Sequence, residues 1–191
     1  TLLLCFFAYA SAYTGRLNLS AALPGLRGSI AMSDAQAGLF QTMFALVYAA
    51  GQIVNGSLVD KINVRRSIAI GLIASAACNA LFGLTEAFPV MLILWGLNGA
   101  AQSMLWTPIV KLVADRFSGQ ARDRASFVLS ITIIFGHFIA WAISGTLAAI
   151  LNWRYSFLIP AFIMTAAGVF VFAALRREPV SGADAKAISA P

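Results

Sequence analysis

Residues 56–66, GSLVDKINVRR, form a short hydrophilic break between two apolar runs, and this break indicates how the chain is folded. The runs at 35–58 and 67–86 are each long enough to cross the hydrocarbon core of a bilayer as a helix, for which about 20 residues are needed. The charged residues of the break are Asp60, Lys61, Arg65 and Arg66. The stretch therefore predicts a tight, charged turn that joins two transmembrane helices at one membrane surface.

The same alternation of apolar runs and polar breaks continues along the chain. Hydrophobic residues make up 60% of the sequence and charged residues only 10%, whereas a soluble domain carries about 25% charged residues. The runs long enough to span a bilayer are 1–23, 35–58, 67–86, 89–114, 125–150 and 155–175. Such segments must be helical, because each backbone amide needs a partner inside its own segment. We predict an all-α membrane protein: a six-transmembrane-helix bundle over 1–175, followed by a disordered cytoplasmic tail over 176–191.

Lysines and arginines are distributed unevenly between the two ends of these spans. One set of loops and the tail carry Lys61, Arg65, Arg66, Arg116, Arg122, Arg124, Arg176, Arg177 and Lys186, whereas the opposite loops carry Arg27 and Arg154. Basic loops remain on the cytoplasmic side, so both termini are expected in the cytoplasm and the chain in the cytoplasmic (inner) membrane. The net charge of +6 thus marks a membrane surface, and no nucleic-acid partner is expected. Cys5 and Cys78 lie in apolar runs and predict neither a disulfide framework nor a metal site.

Polar side chains recur at helical spacing in four of the spans, and polar groups inside a membrane are costly enough for their location to be informative. The stripes are Tyr9, Tyr13, Arg16 and Ser20 in the first span; Gln41, Tyr48, Gln52 and Asn55 in the second; Asn98, Gln102 and Trp106, and Ser103, Thr107, Lys111 and Asp115, in the fourth; and Ser126, Ser130, His137, Trp141 and Ser144 in the fifth. The third and sixth spans are poorer in polar residues. The pattern predicts a polar cavity lined by spans one, two, four and five, with three and six outside. Interhelical hydrogen bonding is the alternative for any single residue.

Arg16 is the most informative polar residue, because it is a permanent charge within an apolar span. Its planar guanidinium can hold a carboxylate or phosphate with two parallel hydrogen bonds. We expect Arg16 to bind a substrate anion. The alternatives are that its side chain extends to the outer interface, or that it forms a buried ion pair with a helix of another half.

His137, Lys111 and Asp115 are three further ionisable residues in or directly beside the spans. His137 is the only histidine, and it is either a hydrogen-bonded helix residue or a part of the polar pathway. Lys111 and Asp115 are four residues apart, so they form an intrahelical pair or attract anions from the cytoplasmic side.

The loop at residues 56–66 also suggests a gate. Gly56 permits close approach of another segment at the end of the second span. Asp60 follows a helix C-terminus, where the helix dipole disfavours an anion. It is therefore expected to form an ion pair with Lys61, Arg65 or Arg66. The ion pairs of such a cluster could form in one conformation and break in another, and so act as a latch. A charged turn without a latch is the alternative.

At this loop the chain resembles the major facilitator superfamily, whose loop signature is G-x-L-x-D-R/K-x-G-x-R/K, with Asn63 in place of the second glycine. The stretches YTGRLNLSAALPGL, YAAGQIVNG and WGLNGAAQSMLWTPIVKLVADRF are similar to those of organophosphate:phosphate antiporters and sugar-phosphate permease-like proteins. The resemblance covers nearly the whole chain. It implies one half, the N-terminal six helices, of a twelve-helix fold.

The resemblance also implies roles for individual residues. In those antiporters the arginine that corresponds to Arg16 binds substrate phosphate, Tyr13 matches an aromatic residue beside it, and a basic residue stands where Lys111 is. Two positions depart from the pattern, since Gln52 replaces a lysine and Phe135 stands where a pocket histidine is found. With two cations fewer, a sugar acid or another carboxylate becomes an alternative to a sugar phosphate.

The sequence thus predicts the N-terminal half of a secondary active transporter that moves a small organic anion by alternating access. The substrate-binding residues would be Arg16, Tyr13, Gln52, Gln102, Trp106 and His137. Phosphate or a proton is the expected coupling ion, a C-terminal six-helix half and the lipid bilayer are the expected partners, and no cofactor or metal is expected. A membrane-embedded enzyme is disfavoured, since the chain lacks H-E-x-x-H, G-x-S-x-G and P-loop motifs. A non-transporting sensor with the same fold is the remaining alternative.

Overall fold

Helices account for nearly all of the residues described by the computed structural model, which are 2–59, 61 and 63–175. The six helices among these residues are α1 (Leu2–Ser29), α2 (Asp34–Leu58), α3 (Val64–Leu84), α4 (Phe88–Arg116), α5 (Gly119–Ile150) and α6 (Tyr155–Ala174). This arrangement confirms the predicted all-α six-helix bundle. The predicted tail, 176–191, lies outside the described residues.

Polar side chains cap the starts of α2 and α3. At α2, Ser33 Oγ accepts from the backbone N–H of Gln36 at 3.2 Å, and the Gln36 side chain accepts from the N–H of Ser33 at 2.9 Å, which is a capping box. At α3, Asn63 Oδ1 accepts from the N–H of Arg66 at 3.2 Å. Asn63 therefore serves as the N-cap of α3 in the loop where the resembling family has glycine.

The first helix is longer than predicted. We expected it to end near residue 23 because Pro24 and Gly25 follow, but α1 continues through Pro24 to Ser29. The extra turn is stabilised by packing: Leu26 is fully buried, and Trp153 lies against Gly25 and donates from Nε1 to Ser29 Oγ at 2.9 Å. Tertiary contacts thus outweigh the loss of one backbone donor at the proline.

Five of the described helices, α2 to α6, are long and apolar enough to cross a membrane. Helix α1 falls outside that group because Arg16, Asn18 and its two tyrosines lower its mean hydropathy. It is nevertheless 28 residues long and packs against α5 and α6 inside the bundle. The polar residues of α1 are therefore held among the membrane-spanning helices.

The helices differ strongly in how much of their surface this chain covers. Helix α3 packs against both α4 and α6, and 56% of its most apolar stretch is buried. Helices α2 and α5 pack mainly against one neighbour each, α4 and α1, and only 17% and 22% of the corresponding stretches are buried. The expectation that the third span would lie outside underestimated its part in the core. Its polar residues Ser75 and Asn79 are fully buried.

Close contact between α2 and α4 depends on Gly99. A Cβ atom at this position would lie 2.7 Å from the carbonyl oxygen of Phe44 and 3.3 Å from its Cα. Both are backbone atoms of α2, which cannot rotate away as a side chain can. Gly99 therefore sets the distance between the two helices that carry Gln52 and Gln102.

At the end of the bundle opposite the basic loops, two arginines connect neighbouring segments through hydrogen bonds and ion pairs. Arg154 donates from Nη1 to the carbonyl oxygen of Gly83 at 2.8 Å, forms an ion pair with Glu86 and stacks on Trp153 with 4.7 Å to the ring centroid. Arg27 forms an ion pair with Asp34 at 2.7 Å. Both arginines of these loops are thus paired with carboxylates.

Candidate anion-binding site

Arg16 lies on the face of α1 that meets α2 and α4, and its side chain is partly exposed. Its Nε donates to Gln102 Oε1 at 2.7 Å. The guanidinium carbon lies 4.7 Å from the ring centroid of Tyr48, 5.2 Å from that of Tyr13 and 5.7 Å from that of Phe44. These rings stabilise the cation through their electron-rich faces without neutralising its charge.

The charge of Arg16 has no counter-ion in the part of the chain that the structure describes. Among the residues that the structure describes, no carboxylate forms a salt bridge with Arg16, and its buried Nη2 has no hydrogen-bond partner. A buried donor left without a partner costs about 1–3 kcal/mol, and more when it is charged. The arrangement is therefore suited to an incoming anion that would supply the missing acceptors.

Tyr13 lies between Arg16 and the fifth helix. It is buried, and its ring centroid is 5.2 Å from that of Tyr9 and 4.7 Å from that of His137. This approach requires Gly136, since a Cβ there would lie 2.5 Å from the Tyr13 ring. His137 itself is exposed, and its Nδ1 is 2.7 Å from the carbonyl oxygen of Ile133.

Gln52 is linked to Arg16 indirectly, by a hydrogen bond to Tyr48, whose ring contacts the guanidinium. Its Nε2 donates to the Tyr48 hydroxyl at 2.7 Å, and its Oε1 accepts from Thr107 Oγ1 at 2.9 Å. The predicted residues on α1, α2, α4 and α5 are thus connected through rings and amides around Arg16.

Gln102 and Trp106, one turn apart on α4, differ in their accessibility. Gln102 is fully buried. The ring of Trp106 is 4.9 Å from that of Tyr9 and lines a cavity of about 240 Å³ between α4 and α5. The cavity is lined by Trp106, Val110, Val113, Ala114, Arg122, Ser126, Leu129 and Ser130.

Lys111 and Asp115 lie beyond Trp106, toward the end of α4. Lys111 is half-buried and takes part in further interactions, and Asp115 is exposed. Neither residue lines the cavity. The roles predicted for them, an intrahelical pair or attraction of anions, stay predictions.

The loop between α2 and α3 is described only in part. Lys61 and Arg66 are exposed, whereas Arg65 stacks on Phe172 of α6 with 4.1 Å to the ring centroid. Asp60 lies outside the described residues, so the latch stays a prediction. A Cβ at Gly56 would meet no described atom within 4 Å, and the close approach expected there stays a prediction.

Sequence reasoning did not predict that a set of amide side chains near Arg16 would be buried and hydrogen-bonded to each other and to backbone carbonyl oxygens. Asn18 Nδ2 donates to Asn79 Oδ1 at 2.7 Å and to the carbonyl oxygen of Ser156 at 2.9 Å, while Asn79 Nδ2 and Asn98 Nδ2 both donate to the carbonyl oxygen of Gly15, at 3.1 and 2.9 Å. The sequence signal was present: Ser75 and Asn79 lie four residues apart in α3, as do Asn98 and Gln102 in α4.

Fold and site together define a multi-pass helical membrane protein with an arginine among its helices that no described carboxylate neutralises. The sequence profile described as Major Facilitator Superfamily matches residues 5–190. The chain therefore belongs to the major facilitator superfamily, which confirms the predicted family and the prediction that the chain is not an enzyme.

Three curated relatives are similar to nearly the whole of this chain. The chain is 28% identical to a probable hexose phosphate transport protein of Chlamydia trachomatis, over 92% of this chain and 39% of that protein. It is 28% identical to the glycerol-3-phosphate transporter of Bacillus subtilis, over 92% of this chain and 40% of that protein. With the membrane sensor protein UhpC of Escherichia coli the identity is 26%, over 93% of this chain and 40% of that protein. The chain thus spans about two fifths of the length of these relatives.

A solved structure shares the fold. A crystal structure of a bacterial homologue of the human lysosomal transporter Spinster, in an inward-facing and occupied conformation, has a TM-score of 0.85 and 20% identity. The match covers 97% of this chain and 46% of that one.

Proposed function

We propose that this chain is one half of a secondary active transporter that carries a small organic anion, with Arg16 as the anion-binding residue. The observation that carries the proposal is a guanidinium inside the bundle that no described carboxylate neutralises. A permanent charge in this position is costly, and binding an anion offsets the cost. Relatives named as hexose phosphate and glycerol-3-phosphate transporters support an anionic substrate.

A sugar phosphate is the substrate class that the relatives favour. Gln52 provides a neutral amide close to Tyr48 and Arg16, so the described site offers one guanidinium and no second cation beside it. A sugar acid, with one negative charge, is the alternative substrate that this lower charge favours.

Alternating access requires a second wall for the pathway. The uncovered surfaces of α2 and α5 are where a second six-helix half would pack, since each of these helices has one main neighbour in this chain. We further propose that phosphate or a proton is the coupling ion. The basic loops would lie on the cytoplasmic side of the inner membrane, with both ends of the chain in the cytoplasm.

A sensor that binds the same anion without moving it is the second candidate. The observation that favours it is the 26% identity with UhpC of Escherichia coli, which is named as a membrane sensor protein. The two candidates differ in flux, because a sensor binds its ligand without net movement into vesicles.

Uptake of radiolabelled glucose 6-phosphate and glucuronate into lipid vesicles tests the proposal. The vesicles would hold the protein with both six-helix halves, in one chain or co-expressed. Arg16→Ala should abolish uptake of both anions, while Arg124→Ala serves as a control because Arg124 is an exposed arginine on α5. Uptake by Arg16→Ala at the level of the unsubstituted protein would refute the role of Arg16. Binding without uptake in the unsubstituted protein would favour the sensor.

A further inference from the structure

Arg16 is joined to the backbone of its own helix by a closed ring of hydrogen bonds. Arg16 Nε donates to Gln102 Oε1 at 2.7 Å, and Gln102 Nε2 donates to Ser75 Oγ at 3.1 Å. Ser75 Oγ donates to Asn98 Oδ1 at 2.6 Å, and Asn98 Nδ2 donates to the carbonyl oxygen of Gly15 at 2.9 Å. The ring passes through α1, α4 and α3 and returns to the residue that precedes Arg16.

The direction of every bond in this ring is determined by its two ends. A guanidinium can only donate hydrogen bonds, and a backbone carbonyl can only accept them. Asn98 must therefore turn its NH₂ group to Gly15, which leaves its oxygen to accept the single hydroxyl hydrogen of Ser75. The Ser75 oxygen then accepts from Gln102, whose own oxygen is left facing Arg16.

A second anchor fixes the Gln102 amide independently. Its other N–H donates to the carbonyl oxygen of Ala12 at 3.1 Å. If the Gln102 amide were rotated by 180°, its oxygen would face the carbonyl oxygen of Ala12 and its NH₂ group would face the guanidinium of Arg16. Gln102 is also fully buried. Both of its N–H groups and its oxygen are thus hydrogen-bonded within the protein.

We propose that Gln102 is a positioning residue that acts through Arg16, supported by Ser75 and Ala12, and that it does not contact the substrate. It accepts from Nε of Arg16, which is the one nitrogen of that guanidinium with a hydrogen bond to the described residues, and so leaves both Nη groups of Arg16 for an anion. The substrate part of this inference rests on the proposed function. The orientation of Arg16 by Gln102 does not depend on it.

NMR of the arginine Nε–H groups tests the orientation directly. The chain would be labelled with ¹⁵N-arginine and placed in lipid nanodiscs, and the Arg16 resonance assigned by its loss in Arg16→Lys. We expect this Nε–H to exchange slowly with water in the unsubstituted protein. Gln102→Met, which keeps the length of the side chain without its polar atoms, should increase the exchange rate at least tenfold, and Ser75→Ala should have a smaller effect in the same direction.

Thr132→Val is the matched control. Thr132 is a fully buried residue whose hydroxyl, among the described residues, donates only to the carbonyl oxygen of Val128 in its own helix, at 3.2 Å. It should leave the Arg16 resonance unchanged, which separates positioning from a general loss of packing. An Arg16 Nε–H with unchanged shift and exchange in Gln102→Met would overturn the proposal.

A titration with glucose 6-phosphate separates this inference from the proposed function. Both hold if Arg16→Lys loses binding and Gln102→Met binds about tenfold more weakly, a change that corresponds to about 1.4 kcal/mol. If Arg16→Lys binds like the unsubstituted protein, the proposed function fails and the exchange measurement still decides the orientation. If Arg16→Lys loses binding and Gln102→Met does not, the positioning role is refuted and the proposed function stands.

Discussion

Gly99→Ala should weaken the packing of α2 on α4. The added Cβ would lie 2.7 Å from the Phe44 carbonyl oxygen and 3.3 Å from the Phe44 Cα, so the two helix backbones must move apart by several tenths of an ångström. Forcing an extra methyl group into a packed interior typically costs 1–3 kcal/mol. Because the obstructing atoms belong to the backbone, we expect a loss of about 2–3 kcal/mol, in the upper part of that range.

Gly38→Ala is the matched control, because a Cβ at Gly38, also within a helix, meets no atom within 4 Å. There the higher helix propensity of alanine should stabilise the protein by about 0.5–1 kcal/mol. Both variants would be compared by thermal unfolding in the same detergent, followed by tryptophan fluorescence. Equal or higher thermal stability of Gly99→Ala would contradict the described contact between α2 and α4.

Two further changes address the selectivity of the site and the far end of the bundle. Gln52→Lys, with Gln52→Met as the neutral control, should raise the preference for glucose 6-phosphate over glucuronate by several-fold. The reason is that one extra positive charge in a partly solvated site contributes on the order of 1 kcal/mol more to the binding of a dianion than to that of a monoanion. Competition binding measures the ratio of the two affinities, and an unchanged ratio would argue against a position of residue 52 near the anion. Arg154→Ala removes the bond to Gly83, the ion pair with Glu86 and the stacking on Trp153. It should cost about 1–2 kcal/mol in thermal unfolding, and loss of uptake without loss of stability would contradict a structural role.

Much of the fold could be predicted because a bilayer restricts the choices. Apolar runs of sufficient length must be helices, and the run predicted at 35–58 begins within one residue of the start of α2 at Asp34. The prediction failed at the end of α1, where Pro24 and Gly25 indicated a stop. Burial of Leu26 and the contact with Trp153 stabilise the continued helix, and Trp153 lies 124 residues from its hydrogen-bond partner Ser29 in sequence.

The sequence predicted which residues belong to the candidate site better than it predicted how they are arranged. Helical spacing placed Tyr13 and Arg16 on one face, and the structure has their side chains in contact. Spacing alone could not distinguish the half-buried Gln52 from the fully buried Gln102, since burial depends on which helix packs on that face. The part played by α3 was missed for the same reason, because Ser75 and Asn79 lie in an apolar stretch and look like isolated exceptions until their partners are known.

The choice of partner for Arg16 explains how one residue can be both fixed in place and available. A carboxylate at position 102 would hold the guanidinium more strongly, but it would also neutralise the charge that an anionic substrate requires. A neutral amide oxygen supplies one directional hydrogen bond at 2.7 Å and leaves the full positive charge in the site. The cost of that uncompensated charge is lowered by the ring faces of Tyr13, Phe44 and Tyr48, which stabilise a cation while carrying no net charge themselves. The surroundings of Arg16 thus fix its geometry with uncharged groups, so that its charge remains available to bind an anion.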